Sequence, residues 1–171
     1  MASPSDTSTI HCRALRLDEV DEACALAREV FDRLNAAEQP EEGRRMFHAF
    51  AQPAALLARH KTRYATWIAA EGPRLVGVLH IHARNHLSLL FVAPEWQGRG
   101  VARRLLRRAC DEGALLAPLT VNSDPHAVRF YARLGFAAEG PELLKNGVRH
   151  QPMRLATLPP DWCRQGLGPR I

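Results

Sequence analysis

Hydrophobic and polar positions follow their clearest order in the middle of the chain, where three patterns occur in succession. An apolar run over 87–92 is short enough to predict a buried strand. A polar turn containing Pro94, Gly98 and Gly100 follows it. Apolar residues then recur at the i, i+3, i+4, i+7 spacing of one helix face, at Ala102, Leu105, Leu106 and Ala109. The pattern predicts a strand, a glycine turn and a helix.

The segments before this unit alternate between the two periodicities. An apolar stripe over 18–34 behind acidic first turns predicts a helix, and a second helical stretch begins near Glu41 and breaks around Pro53. Three strand-like runs precede the central strand, at 9–15, 63–70 and 74–83. The last two are joined by a predicted hairpin turn at Glu71-Gly72-Pro73. Three antiparallel strands before a strand–turn–helix unit favour an α+β sheet over a doubly wound fold.

The segments after the central helix predict the rest of the sheet. Residues 118–122 form a short strand, which enters a helix through Asp124 as the N-cap and Pro125 as the first helical residue. This helix ends at Gly135, which suits a left-handed C-terminal cap. We expect the last two strands to close the sheet as a hairpin across Asn146-Gly147: 136–139 and 151–156.

Length and composition predict one folded domain over 9–156, with a disordered leader over 1–8 and an irregular arm over 157–171. No run approaches the roughly 18 apolar residues that cross a bilayer. The first residues carry neither a basic start nor an apolar stretch. We therefore expect a cytoplasmic protein that has no membrane partner.

The charge and the cysteines exclude some functions. The net charge is +5, but no aromatic residue interleaves with the main arginine cluster, so we expect a small polyphosphate ligand rather than a nucleic acid: Arg99, Arg103, Arg104, Arg107 and Arg108. The four cysteines have no C-x-x-C spacing, which argues against a zinc site and against a disulfide framework: Cys12, Cys24, Cys110 and Cys163.

The glycine turn is suited to hold phosphate, because the first turn of a helix presents unpaired backbone N–H groups. It lacks the Lys-Ser/Thr pair of a Walker loop and the third glycine of a dinucleotide fingerprint. Its sequence resembles the Q/R-x-x-G-x-G/A segment of the GCN5-related N-acetyltransferases, in the residues Gln97, Gly98, Arg99, Gly100, Val101 and Ala102.

A second segment strengthens this resemblance. Residues 122–136 (NSDPHAVRFYARLGF) resemble the family motif N-x-x-A-x-x-F-Y-x-x-x-G-F, with a small shift in its first part. The resemblance covers about residues 10–156 and makes 9–156 an N-acetyltransferase domain. It implies a three-layer α/β/α fold with a mixed, mostly antiparallel, twisted sheet that splays between two central parallel strands.

The resemblance also implies how acetyl-CoA, the co-substrate, would bind in the opening of the sheet. The backbone of Leu90, Phe91 and Val92 would pair with the pantetheine amides. The amides from Gln97 to Ala102 would hold the pyrophosphate, and Asn122 and Phe130 would contact the rest of the cofactor. In this family the helices over 18–34 and after Glu41 wall the acceptor pocket.

Tyr131 is the candidate general acid. It matches the tyrosine of the family's F-Y pair, and a phenol with an ordinary pKa near ~10 is protonated at neutral pH and can donate to the departing thiolate. A backbone N–H within 90–92 is the candidate oxyanion donor. The general base stays open among six alternatives, namely His80, His82, His86, Glu71, Glu95 and water.

The sequence therefore predicts an acetyl-CoA-dependent N-acetyltransferase. We expect it to move an acetyl group to a primary amine of a small molecule or peptide by direct attack in a ternary complex, without a metal. A non-catalytic acyl-CoA sensor on the same fold is the alternative, and a nucleic-acid-binding domain is a third. A homodimer, the acceptor and the role of the C-terminal arm are left open.

Overall fold

The computed structural model describes residues 9–163, so the expectations for 1–8 and for the last eight residues lie outside the described part. Within it the strands are β1 (Ile10–Ala14), β2 (Tyr64–Glu71), β3 (Arg74–His82), β4 (His86–Val92), β5 (Leu119–Ser123), β6 (Ala137–Ala138), β7 (Leu143–Lys145) and β8 (Val148–Leu155). The α-helices are α1 (Val20–Leu34), α2 (Glu41–Phe50), α3 (Pro53–His60), α4 (Val101–Asp111) and α5 (Val128–Arg133).

The strands form one mixed sheet in the order β1-β2-β3-β4-β5-β8-β6, and β7 adds to β8. Neighbouring strands are antiparallel except for β4 and β5, which are parallel. These two strands are in register only at His86–Thr120 and Leu87–Val121, and beyond that point they diverge. The prediction of a mostly antiparallel sheet that splays between two parallel strands is confirmed.

A β-bulge lies beside the splay. His80 pairs with Leu89 and the next residue of β3, Ile81, pairs with Leu87, so Ser88 has no partner of its own on β3. Because a bulge shifts the alternation of side chains by one residue, His86 lies on the same face of the sheet as Leu89. The bulge therefore decides which side of the opening His86 faces.

The helices form layers on both faces of the sheet. A Cβ on Gly77 would lie 3.1 Å from the Leu105 side chain, so α4 packs on the face to which Gly77 points. His80 lies three residues after Gly77 on β3, so its side chain points to the opposite face of the sheet. Because His80 contacts Arg59 of α3, this opposite face is covered by α3 and its neighbours α1 and α2. The expected three-layer arrangement is confirmed. Among the described helices, none is long and apolar enough to cross a membrane.

The predicted closing hairpin is wrong in one respect. Asn146-Gly147 does form a tight turn, with φ of 52° and 76°, but it joins β8 to β7 rather than to β6. Both β6 and β7 pair with β8, which is longer than predicted. The run Leu143–Lys145 is short and exposed, so it lacks the alternation by which a strand is recognised.

The segment after β8 packs against α4. Trp162 is buried, Arg107 forms an ion pair with Asp161 at 2.7 Å, and Cys110 is paired with Cys163 as a disulfide whose Cα atoms are 5.4 Å apart. The cysteine spacing argues against a disulfide framework, and it gives no sign of this one pair. Sequence spacing could not reveal it, because the two cysteines are 53 positions apart.

Candidate acetyl-transfer site

A cavity of about 500 Å³ opens where β4 and β5 diverge. Its walls come from the end of α1, the loop after it and α2 on one side, and from the β7–β8 hairpin on the other. The splayed strands and α5 complete the cavity, so a ligand in it would contact the middle of the sheet.

The edge of β4 that faces the cavity is open. β4 is paired with β3 along its length, but it pairs with β5 only through His86 and Leu87. Ala93 N donates to Val76 O, so the alternation along β4 turns the backbone groups of Phe91 to β3 and those of Leu90 to the unpaired side. A ligand that adds as a short strand can therefore bind to the backbone of Leu90. Val92 is buried instead, and its carbonyl accepts a hydrogen bond from Gln97 Nε2 at 3.0 Å.

The glycine turn stands at the end of β4 and leads into α4. Gly98 and Gly100 have φ of 73° and 77°, a conformation that costs other residues about 1–2 kcal/mol, and Gly100 is the N-cap of α4. The first helical hydrogen bond runs from Arg104 N to Gly100 O at 3.0 Å. The N–H groups of residues 101–103 in the first turn have no such partner and can bind an anion.

The other residues of the turn hold its shape. Trp96 is buried, and the Arg99 guanidinium lies 4.8 Å from the centroid of its ring. Val101 is buried against the sheet, and Ala102 is half-buried. Together with the Gln97–Val92 hydrogen bond, these contacts fix the first turn of α4 close to the end of β4.

The second sequence motif supplies one side of the cavity. Asn122 at the end of β5 is exposed and lines it, as does Tyr131 on α5. Phe130 does not line it; its ring packs edge-on against Tyr131 at 5.1 Å. The Asp124 carboxylate accepts a hydrogen bond from His126 N at 2.9 Å and so caps the turn that leads into α5, as predicted.

Tyr131 is almost fully buried, and its ring is held between those of Phe130 and Phe136. Burial, with a further contribution from the Asp124 carboxylate, raises the pKa of Tyr131 well above its ordinary value. The phenol is therefore uncharged at neutral pH and carries a proton that it can share with an acceptor in the cavity.

Of the five side chains considered as the general base, His86 lines the cavity. Its Nδ1 lies 2.8 Å from Thr120 Oγ1, and the Thr120 hydroxyl donates its own hydrogen to Asn85 O at 3.1 Å. With this donation, Thr120 Oγ1 accepts from His86 Nδ1–H, which leaves a lone pair on Nε2. Burial, with a smaller effect of His82, lowers the pKa of His86 below its ordinary value, so the ring is neutral at pH 7.

The four other side chains are placed less favourably. His80 has no exposed surface, and both of its ring nitrogens are engaged, by Thr66 Oγ1 at 2.8 Å and Arg59 Nε at 3.3 Å. Burial and the Arg59 charge lower the pKa of His80 to about 3. His82 stacks on the Tyr64 ring but does not itself line the cavity, Glu71 ends β2, and Glu95 forms an ion pair with Arg74.

Sequence reasoning missed Gln39, which joins three parts of the cavity wall. Its side chain is buried, and Nε2 donates to Asp124 Oδ2 and to Arg149 O, both at 2.8 Å, while Oε1 accepts from Arg149 N at 2.9 Å. These bonds connect the loop before α2 with β8 and with the cap of α5. No motif marks Gln39, because its partners are 85 and 110 positions away along the chain.

His150 and Gly43 were missed as well. His150 is nearly buried on β8 and lines the cavity. At Gly43 in α2, an added Cβ would overlap Gly147 O, so the absence of a side chain lets the helix touch the β7–β8 turn. Both residues depend on pairings of distant segments, for which the sequence gives no local pattern.

The sequence profile of the acetyltransferase (GNAT) domain matches residues 35–157, which include every element from α2 to β8. The chain therefore belongs to the GCN5-related N-acetyltransferase (GNAT) family. No cluster of His, Cys, Asp or Glu side chains suited to hold a metal ion occurs in the described range 9–163.

One curated relative and two solved structures are similar to this chain, and the two structures share its fold. The spermidine N(1)-acetyltransferase of Escherichia coli K12 is 30% identical over 90 residues, which are 47% of this chain and 48% of that protein, so the match spans about half of each. The crystal structure of a GCN5-related N-acetyltransferase from Rhodopseudomonas palustris has a TM-score of 0.71 at 23% identity, covering 88% of this chain and 97% of that one. The PaiA N-acetyltransferase of Thermoplasma acidophilum, solved with coenzyme A, has a TM-score of 0.67 at 18% identity and covers 86% and 99%.

Proposed function

We propose that this protein transfers the acetyl group of acetyl-CoA to a primary amine by direct attack within a ternary complex. The observation that carries the proposal is the junction of three features: the open edge of β4, the cavity at the splay, and the free amides at the start of α4. The open edge suits the two amides of a pantetheine arm, and the start of α4 suits a pyrophosphate, so the residues present fit acetyl-CoA.

The acetyl-CoA contacts follow from this fit. The backbone of Leu90 binds the pantetheine arm, with Asn122 on the opposite strand. The amides of the turn from Gln97 to Ala102 bind the pyrophosphate. Bound in this way, acetyl-CoA supplies an activated acetyl group, whose carbonyl carbon bonds to the amine nitrogen as the carbon–sulfur bond breaks. A backbone N–H within 90–92 stabilises the charge that develops on the carbonyl oxygen.

His86 accepts a proton from the amine, and Tyr131 donates a hydrogen bond to the leaving sulfur. Nε2 of His86 takes the proton that the amine nitrogen must lose, because its lone pair is free and its ring is neutral. The Tyr131 hydroxyl donates to the sulfur as it leaves. An ordinary thiol has a pKa near ~8.5, below that of a phenol, so Tyr131 acts mainly by a hydrogen bond to the developing thiolate. Holding the two reactants in line contributes much of the rate.

The decisive experiment combines binding with turnover. Acetyl-CoA at millimolar concentration should raise Tm, because a ligand that binds only the folded state stabilises it. Addition of a primary amine should then release the CoA thiol, which a thiol reagent detects. Absence of any Tm shift would contradict the proposal, whereas a shift without turnover across a broad amine panel would favour the acyl-CoA sensor.

His86→Gln should lower kcat/KM by about 10²-fold, at the lower end of the range for acid–base catalysis because water in the cavity can take the proton instead. A general base works only when neutral, so the wild-type advantage should be full at pH 7 and fall as the pH drops through the lowered pKa of His86. The ratio of wild-type to variant kcat/KM isolates this effect, since amine ionisation is common to both. If this ratio does not depend on pH, His86 is not the base. The same conclusion follows if His150→Gln lowers kcat/KM about 10²-fold and His86→Gln does not.

A further inference from the structure

We propose that the acceptor of this enzyme is a monoamine on an aromatic or bulky apolar body rather than a polyamine. This inference rests on the proposed acetyl transfer and concerns the acceptor side of the same cavity. It follows from the side chains that α1, α2 and the adjacent strands present there, and from the charges around them.

The wall on the α1–α2 side is aromatic. Phe31 and Phe47 stack with their centroids 3.9 Å apart, and Phe91 of β4 meets the edge of Phe47 at 5.4 Å. Two more rings and a methionine continue this wall: Phe50, Tyr64 and Met46. Rings set in this way offer faces and edges against which another ring packs.

Part of this apolar wall has nothing to cover it in the described structure. Met46 is 47% exposed although it lines the cavity, and Phe47, Phe50, Tyr64 and Phe91 are each partly accessible. An apolar ligand body would remove this surface from water, which is the main source of affinity in such a pocket. A polyamine chain would gain little there, because its nitrogens need charged or polar partners.

The charges of the wall disfavour a second ammonium group. Among the described residues that line the cavity, Asp124 is the one carboxylate, and its two oxygens already accept from Gln39 Nε2 and His126 N. Lys145 adds a positive charge to the opposite wall, and Arg149 is neutralised by Glu142 at 2.7 Å. The chain as a whole carries a net charge of +5, so it repels a polycation at long range.

The experiment compares three acceptors at one pH with saturating acetyl-CoA: 2-phenylethylamine, butylamine and spermidine. Burial of the phenyl ring should give 2-phenylethylamine a kcat/KM about 10–100-fold above that of butylamine. Spermidine should be the poorest of the three. A spermidine kcat/KM equal to or above that of 2-phenylethylamine would overturn the proposal, and so would equal values for 2-phenylethylamine and butylamine.

Variants of exposed wall residues test the cause. Met46→Ala should lower kcat/KM for 2-phenylethylamine about threefold to tenfold and should lower that for spermidine less. Leu57→Ala is the matched control, since Leu57 is a 37% exposed apolar residue on α3 outside the cavity wall, and it should change neither. Lys145→Glu should raise kcat/KM for spermidine by removing one positive charge and adding a carboxylate. Equal losses in Met46→Ala and Leu57→Ala would argue against an aromatic acceptor site.

A binding measurement keeps this question separate from acetyl transfer itself. With CoA present, 2-phenylethylamine should raise Tm further and spermidine should not. A Tm shift with spermidine alone would overturn the acceptor class while the acetyltransferase proposal stands. If acetyl-CoA itself does not raise Tm, in contrast, the proposed function is contradicted, and the chemistry of the wall is not.

Discussion

Tyr131→Phe should lower kcat by about 10–10²-fold, because a hydrogen bond to a charged group contributes about 1.5–3 kcal/mol, with little change in the affinity for acetyl-CoA. The physical reason is that the hydroxyl acts only while the carbon–sulfur bond breaks, so its loss raises the barrier and not the binding energy. The ring stays in place between Phe130 and Phe136, and Tm should therefore change little. Steady-state kinetics with a working acceptor, together with a Tm measurement, check both expectations.

The chain provides a matched control for this variant. It contains two tyrosines, and the other one, Tyr64, also lines the cavity with its ring stacked on His80 and His82. Tyr64→Phe removes a second phenol hydroxyl from the same wall and should leave kcat within about threefold. If Tyr131→Phe also stays within that range, the sulfur leaves without help from Tyr131.

The raised pKa of Tyr131 adds a pH criterion. A phenol with this pKa stays protonated throughout the range in which the enzyme can be assayed, so its ionisation should produce no fall in kcat on the alkaline side. A fall near pH 10 that Tyr131→Phe abolishes would contradict the raised pKa of Tyr131, although it would support a role of its hydroxyl.

The central unit of the fold could be predicted from sequence because its determinants are local. The apolar run of β4, the two glycines with positive φ and the apolar stripe of α4 are adjacent in the chain, and each favours its own structure without distant partners. Asp124 and Gly135 likewise mark the ends of the helical segment around α5 through backbone chemistry that acts over a few residues.

The parts that were missed depend on contacts between distant segments. His86, His82 and His80 could not be ranked from sequence, because a one-residue bulge at Ser88 decides which face His86 occupies. The pairing of β7 with β8 and the Cys110–Cys163 disulfide are also absent from any local pattern. The part of the cavity wall around Gln39 could not be predicted for the same reason, since Gln39 meets its partners only after the sheet has formed.

Gly100→Glu should abolish acetyl-CoA binding, and this is the largest effect that we expect on binding. The substitution places a carboxylate at the start of α4, beside the amides proposed to hold the pyrophosphate. Hydrogen bonds to charged groups contribute about 1.5–3 kcal/mol each, so loss of two of them weakens binding by about 10²–10⁴-fold. Calorimetry with CoA and the Tm shift with acetyl-CoA both measure this loss.

Backbone strain must be separated from this effect, because Gly100 has φ of 77°. Gly113→Glu is the matched control: Gly113 has φ of 71°, lies just beyond the other end of α4, and like Gly100 has open space around an added Cβ. Both variants should lose similar stability, about 1–2 kcal/mol, because they carry the same strain. Only Gly100→Glu should lose the acetyl-CoA shift. If both variants still bind CoA, the pyrophosphate lies away from the glycine turn. If both lose CoA binding equally, the defect comes from lost stability and not from the anion site.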